Sequence, residues 1–264
     1  MVDGHKTYPM VPVAVGAFSI FFNIFNVLIL FPFIGTFEKY LSRIGAKTEE
    51  AEDFSHPRYL DDAVRDDFSR AVPAVQAEIH RQLIAGALFL DIARGRPEAP
   101  KEPAEHADAT DSLSREIRAY SAHLFHDDLD REQMDLVASL IEEVDFTGAL
   151  TEQLHQIARR TRREQFSPAS QVFLEEALER LDRSMDTIVV PQANQPSNLP
   201  PGHDRTATID ELRWKVIDTA SLPAGEKGAL VALLGSIERS EDLIGRIKQE
   251  RASVDRGIAT FEKA

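Results

Sequence analysis

The sequence predicts an all-α protein in which one transmembrane helix precedes a duplicated three-helix bundle. Three observations support this fold class. An uncharged run extends from Tyr8 to Phe37, and apolar residues recur at spacings of three and four through the rest of the chain. No segment shows the strict alternation of a half-buried strand. The order of long, short and long helices also occurs twice, which indicates an internal duplication.

The first predicted element is a membrane-spanning helix at Tyr8–Phe37. This run contains no Asp, Glu, Lys, Arg or His, and about twenty apolar residues cross the hydrocarbon core of a bilayer. A buried core helix and a cleaved signal peptide are the alternatives, but the run is long for either. Lys39, Arg43 and Lys47 follow it and only Lys6 precedes it. The positive-inside rule therefore predicts a single pass through the cytoplasmic (inner) membrane, with the C-terminal domain cytoplasmic.

Two asparagines, Asn23 and Asn26, interrupt this apolar segment on one face of the predicted helix. An amide that faces lipid leaves its donors unsatisfied, which is costly. They could bond their own backbone or lie near the headgroups. We expect them instead to pack the helix against another membrane helix, from a transporter half or from a second copy of the chain.

The remaining chain divides into a connector and two repeats. The connector covers residues 38–60, after the N-terminal tail and membrane helix at 1–37. The repeats cover 61–165 and 166–264, and each contains a long, a short and a long helix separated by a polar, proline-rich break at 95–110 or 191–206. The predicted helices cover about 61–94, 111–126, 131–165, 168–190, 209–220 and 226–263.

Two residues in these helices have specific expectations. Pro73 marks a possible kink near the start of the first long helix, because proline lacks a backbone donor. Trp214, the single tryptophan, is expected in the core of the short helix at 209–220.

The composition limits the partners of the soluble part. The formal net charge is −14, which argues against general nucleic-acid binding because that needs a basic surface. Cysteine is absent, so disulfides, thiolate metal sites and cysteine nucleophiles are excluded, and the composition suits a reducing compartment.

Several features resemble the C-terminal part of the bacterial sodium/phosphate cotransporter family, whose members of this type end in a PhoU-like domain. The segment FFNIFNVLILFPF at 21–33 is similar to the last membrane helix of that family. The duplicated three-helix arrangement resembles PhoU, and Ile237–Ile244 is similar to its Glu-Arg-x-x-Asp signature.

This resemblance implies a membrane-anchored regulatory domain associated with sodium-dependent phosphate transport and phosphate homeostasis, with phosphate as an indirect partner. One span cannot enclose a midplane transport site, so the chain is not expected to be a complete transporter.

The resemblance also implies a divalent or trivalent metal ion at acidic helix faces. The candidate ligands are Glu238 and Asp242, with a second row at Glu179, Asp182 and Asp186. Residues spaced by three or four share a helix face, and carboxylates suit hard or borderline cations. A solvated helix face is the alternative for both rows. Aligning the two Leu-Val-Ala runs places Val144 and Gly148 opposite the first pair, so the first repeat lacks this motif.

Two other function classes remain open. A single-span helical signalling protein is one alternative, and a metal-binding helical-bundle enzyme is the other. Di-iron bundles need paired Glu-x-x-His motifs, but only Glu152 and His155 have this spacing here. No nucleophile elbow, phosphate-binding glycine loop or H-E-x-x-H motif occurs, so the chain is not predicted to be an enzyme.

An arginine-rich helix end is the last feature of interest. Arg159, Arg160, Arg162 and Arg163 end the predicted helix 131–165. They either oppose the helix dipole favourably or contact anionic lipid headgroups.

Overall fold

A computed structural model describes residues 52–65, 67–126, 129–190 and 208–261. These described residues form six α-helices and no strand, which confirms the all-α prediction for this part of the chain. A 3₁₀ turn at Asp62–Val64 precedes the first helix. The helices are α1 Phe68–Arg94, α2 Pro103–His123, α3 Arg131–Arg163, α4 Pro168–Val189, α5 Ile209–Asp218 and α6 Ala224–Phe261.

Local sequence signals set several helix ends. Before α3, Asp130 accepts a hydrogen bond from the Gln133 amide at 2.8 Å, and the Gln133 side chain accepts one from the Asp130 amide at 3.0 Å. Thr208 and Glu211 form the same reciprocal box at the start of α5. These pairs satisfy backbone donors that have no partner within the helix. Helix α1 ends at Gly95, whose φ of 65° is a left-handed conformation that glycine adopts without strain.

Helix α2 begins earlier than predicted. It starts at Pro103, inside the segment 95–110 that was expected to be a loop. Proline is tolerated in the first turn of a helix because the donor it lacks would be unpaired there. The added turns bury His106 and Thr110 against neighbouring helices. Pro73, by contrast, lies within α1, which stays helical from Phe68 to Arg94.

The prediction that Trp214 is a core residue is wrong. Helix α5 buries Ile209, Leu212 and Val216, which share one face at spacings of three and four. Trp214 lies off that face, and 65% of it is exposed. Its hydrophobicity alone suggested burial, but the position of the apolar stripe decides which side of a helix packs inward.

The six helices pack as two groups of three that are joined through their long helices. Helices α1, α2 and α3 contact one another, and so do α4, α5 and α6. Helix α1 also contacts α4, and α3 contacts α6 along much of its length. Because the two groups share one hydrophobic core, residues Asp53–Ala264 form a single compact unit.

The direction of the long helices follows from specific contacts. Helices α1 and α3 are parallel, since Gly86 lies beside Thr151 and the Phe89 ring lies on that of His155. Helices α3 and α6 are antiparallel, because Leu136 meets Gly257 near one end and Arg160 meets Ser236 near the other.

The end of the predicted connector packs against the bundle. Glu78 of α1 accepts hydrogen bonds from the backbone amides of Arg58 and Tyr59, and Arg81 donates to the carbonyls of Asp53 and His56. Glu78 and Arg81 also pair with each other at 3.1 Å, and both are buried. The hydrogen bonds of this buried ion pair hold residues 53–59 against α1.

The predicted localisation requires a correction. Among the residues that the structure describes, no helix combines the length and the apolar character needed to cross a bilayer. The helices are instead amphipathic, with charged residues on their solvent faces. A single-pass position in the inner membrane is therefore wrong on this finding. The segment Tyr8–Phe37 on which it depended, with Asn23 and Asn26, lies outside the described residues.

Candidate functional site

The acidic pair on α6 lies on its solvent face. Glu238 and Asp242 are both exposed. Glu238 accepts a hydrogen bond from Arg213 Nη2 at 2.8 Å, and the same guanidinium also pairs with Asp210. The nearest positive charge to the predicted ligand Glu238 is thus an arginine of α5, which joins the short helix to α6.

The acidic row on α4 has a similar arrangement. Asp182 accepts from Arg94, whose side chain is only 6% exposed, and from Arg96 at 3.5 Å. Glu179 and Asp186 are exposed on the same helix. Partial burial and the charge of Asp182 raise the pKa of the Asp186 carboxyl. Asp182 therefore contributes to the contact between the end of α1 and the middle of α4.

No group of three or more histidine, aspartate or glutamate side chains is placed to hold a metal ion within the described residues. The cofactor at Glu238, Asp242, Glu179, Asp182 and Asp186 stays a prediction from sequence. In the structure, an ion at Glu238 or Asp182 would compete with the arginine that already pairs with that carboxylate.

A buried polar stripe on α3 was not singled out by the sequence. It contains Glu143, Thr147 and Thr151, which are spaced by four residues and face the bundle interior. Glu143 is 1% exposed, and its Oε1 accepts from Arg251 Nε of α6 at 2.8 Å. Its Oε2 and the Thr147 hydroxyl have no hydrogen-bond partner among the described residues. Burial raises the pKa of Glu143, and the nearby Arg251 opposes that shift.

A small polar cavity of about 40 Å³ opens between α2 and α3, next to this stripe. Gly148 lines it and leaves room for Ser114, because a Cβ there would lie 2.8 Å from Ser114 Oγ. The same Cβ would lie 3.9 Å from the amide nitrogen of Gln82, a fully buried residue of α1. Neither amide atom of Gln82 has a hydrogen-bond partner among the described residues. The lining residues are Ala107, Thr110, Asp111, Ser114, Gly148, Thr151, Glu152 and His155.

This cavity is suited to water or a small polar ligand. Its volume exceeds what one water needs, and its walls offer hydroxyl, carboxylate and imidazole groups. A buried amide without partners normally indicates a bound solvent molecule or a functional group. We therefore regard the cavity, with Gln82 behind it, as the principal candidate site in the first three-helix group.

Two histidines near the cavity, His106 and His155, both contact the ring of Phe89. The Phe89 ring centroid lies 4.8 Å from that of His106 and 5.1 Å from that of His155. His106 Nε2 lies 2.8 Å from the Ala85 carbonyl, so that nitrogen carries the proton. Burial lowers the pKa of His106, which favours its neutral form. His155 pairs loosely with Glu152, at 3.7 Å, the one Glu-x-x-His spacing noted in the sequence.

Comparison of the chain with protein-family models, with curated proteins and with solved structures finds no match.

Proposed function

We propose that the chain is a PhoU-like helical regulatory module that acts in phosphate homeostasis. On this proposal it regulates sodium-dependent phosphate transport and is not itself a complete transporter. Its partner is a transporter chain or a second copy of itself. The acidic surface, with a net charge of −14, disfavours nucleic acid as a partner.

One observation carries this proposal, namely the way in which the two three-helix groups join. Each group contains a long, a shorter and a long helix, and the groups meet through α1 with α4 and through α3 with α6. The repeated order of helices and the contacts between equivalent helices support a duplicated, PhoU-like arrangement. The segment Ile237–Ile244, which resembles the PhoU signature, lies on α6.

The structure also provides groups through which such a module could respond to its surroundings. The ion pair between the buried Glu143 and the partly exposed Arg251 joins α3 to α6 across the two groups. A regulatory change in the relative position of the groups would have to break or remake this contact, because a buried charge without its partner is costly. A ligand or partner that moves one group relative to the other would therefore act on this ion pair.

Deletion of the gene in its native strain tests the proposal. Uptake of labelled phosphate and the response of a phosphate-starvation reporter are measured in the deletion strain and in the same strain complemented with the intact gene. We expect altered uptake and altered starvation signalling in the deletion strain and recovery on complementation. Normal uptake together with normal signalling in the deletion strain would refute the proposed function.

A second comparison places the defect. The deletion is repeated in a strain that lacks the cell's sodium/phosphate transporter. If the module regulates that transporter, removal of the module changes uptake only while the transporter is present. An equal change in both strains would show that the module acts on some other uptake system.

A further inference from the structure

Two arginines from different helices converge on one buried hydroxyl. Ser236 Oγ of α6 accepts from Arg160 Nη1 of α3 at 3.3 Å and from Arg239 Nη2 at 3.1 Å. The same hydroxyl lies 3.3 Å from the Ala232 carbonyl, to which it donates its own proton. Both acceptor lone pairs of the serine are then occupied by the arginines. Ser236 is buried, whereas both arginines are exposed.

Neither guanidinium has a carboxylate partner within the described residues. Elsewhere in this part of the chain some arginines, such as Arg94, Arg213 and Arg251, pair with an acidic side chain, and others do not. A guanidinium carries five N–H donors, and the contact with Ser236 uses one from each arginine. The chain has 44 acidic and 30 basic residues, yet here two guanidinium groups meet at one neutral hydroxyl.

We propose that Arg160 and Arg239 bind a tetrahedral oxyanion, either inorganic phosphate or a phosphate monoester. Their guanidinium groups lie within reach of a common point and repel each other, and an anion between them relieves that repulsion. The planar fork of N–H groups matches phosphate oxygens and forms charge-assisted hydrogen bonds with them. The Ser236 hydroxyl positions the side chains of Arg160 and Arg239 by accepting a hydrogen bond from each, and it does not itself contact the anion.

The surroundings of the pair also favour an anion. Arg159, Arg162 and Arg163 lie in the same last turns of α3, are exposed, and have no carboxylate partner among the described residues. Together these arginines offset the partial negative charge at the carbonyl end of the helix. Glu238 precedes Arg239 in sequence, but its charge is engaged by Arg213. This site would stand for any physiological role of the chain, since it depends on side chains of α3 and α6 alone.

Calorimetric titration of the purified full-length chain tests the proposal. Inorganic phosphate and glycerol phosphate are titrated at low ionic strength, because salt screens exposed charges. We expect saturable binding, and we expect Arg160→Gln and Arg239→Gln each to weaken it by about tenfold, as for the loss of one charge-assisted contact. Arg159→Gln is the matched control, since it removes an equal charge from the same helix end without a contact to Ser236. It should change affinity by less than about twofold.

Each outcome of this titration has a definite meaning. Tighter binding of phosphate than of glycerol phosphate identifies free phosphate as the ligand, and the reverse identifies a phosphorylated organic molecule. If Arg159→Gln weakens binding as much as Arg160→Gln, the site is only a diffuse basic surface and the proposal is wrong. Absence of binding by the folded wild-type chain also overturns it. Circular dichroism of Arg160→Gln and Arg239→Gln separates loss of fold from loss of binding. Arg160→Lys, which keeps the charge but loses the planar fork, should also bind phosphate more weakly.

Discussion

Replacing Gly257 by alanine tests the close approach of α3 and α6. A Cβ at this position would lie 2.7 Å from Leu136 Cδ1, 3.1 Å from its Cγ and 3.4 Å from its Cβ. The first distance is shorter than carbon atoms tolerate without movement, and Leu136 is buried in the core. The added methyl group must therefore displace either a packed leucine or the helix that carries it.

The expected magnitude follows from two opposing effects. Alanine is favoured over glycine within a helix by about 1 kcal/mol, whereas overpacking a filled core costs about 1–3 kcal/mol. Gly245→Ala is the matched control, because it lies on the same helix with no atom within 4 Å of the new Cβ. We expect Gly245→Ala to raise the free energy of unfolding by about 0.5–1 kcal/mol. Gly257→Ala should then be less stable than that control by about 1–3 kcal/mol.

Urea unfolding of the two variants measures this difference, and a third variant separates the causes. With Leu136→Ala as background, the new methyl group at 257 has space, so the same substitution should become stabilising. This change of sign is a coupling between two residues in contact. If Gly257→Ala is as stabilising as Gly245→Ala in the wild-type background, the described packing of α3 against α6 is incorrect.

Two predictions concern buried ionisable groups. Burial lowers the pKa of His106 below its ordinary value of 6.5, so the unfolded chain binds more protons, and the contribution of His106 to stability is present above pH 6.5 and lost as the pH falls below it. His106→Gln should therefore reduce the slope of unfolding free energy against pH below pH 6.5, and an unchanged slope would contradict this role. Removing Arg251 by Arg251→Met leaves Glu143 buried without its cation, and should cost about 3 kcal/mol in urea unfolding at neutral pH. The double variant with Glu143→Leu should regain much of that loss, whereas additive losses would show that the two residues do not interact.

Much of the helical architecture could be predicted from the sequence, because local patterns determine it. The start of α3 at Arg131 follows from the polar turn before it and the apolar residues after it, and the structure places it there. The start of α2 was missed because Pro103 and its charged neighbours suggested a loop. Proline is common both in loops and in the first turn of a helix. The sequence is therefore ambiguous at Pro103.

The candidate sites were harder to predict because they depend on contacts between distant residues. Glu238 matched a metal-ligand spacing, but spacing does not show that Arg213 from another helix reaches it. Arg160 and Ser236 are separated by 76 residues, and no periodic pattern connects them. Gln82 is a single polar residue on a long helix, and its polarity suggests exposure, but it is fully buried. A polar residue on the same face as an apolar stripe can indicate a buried polar group. Gln82 lies one position before Leu83, at the edge of the stripe, so this indication was weak.

A disulfide cross-link tests most directly the pairing of helix groups on which the proposed function depends. The chain has no cysteine, so introduced pairs report without interference. A Cβ at 257 would lie 3.4 Å from that of Leu136, close to the spacing of about 3.5–4.5 Å in disulfides. Gly245 lies about 18 Å from Gly257 along α6, towards the N-terminus of the helix.

The measurement compares two double variants under mild oxidation. Leu136→Cys with Gly257→Cys should form an intramolecular disulfide in nearly all molecules, whereas Leu136→Cys with Gly245→Cys should stay reduced. Equal cross-linking of both pairs, or none in the first pair while the chain is folded, would contradict the antiparallel contact of α3 with α6 and the repeated architecture built on it.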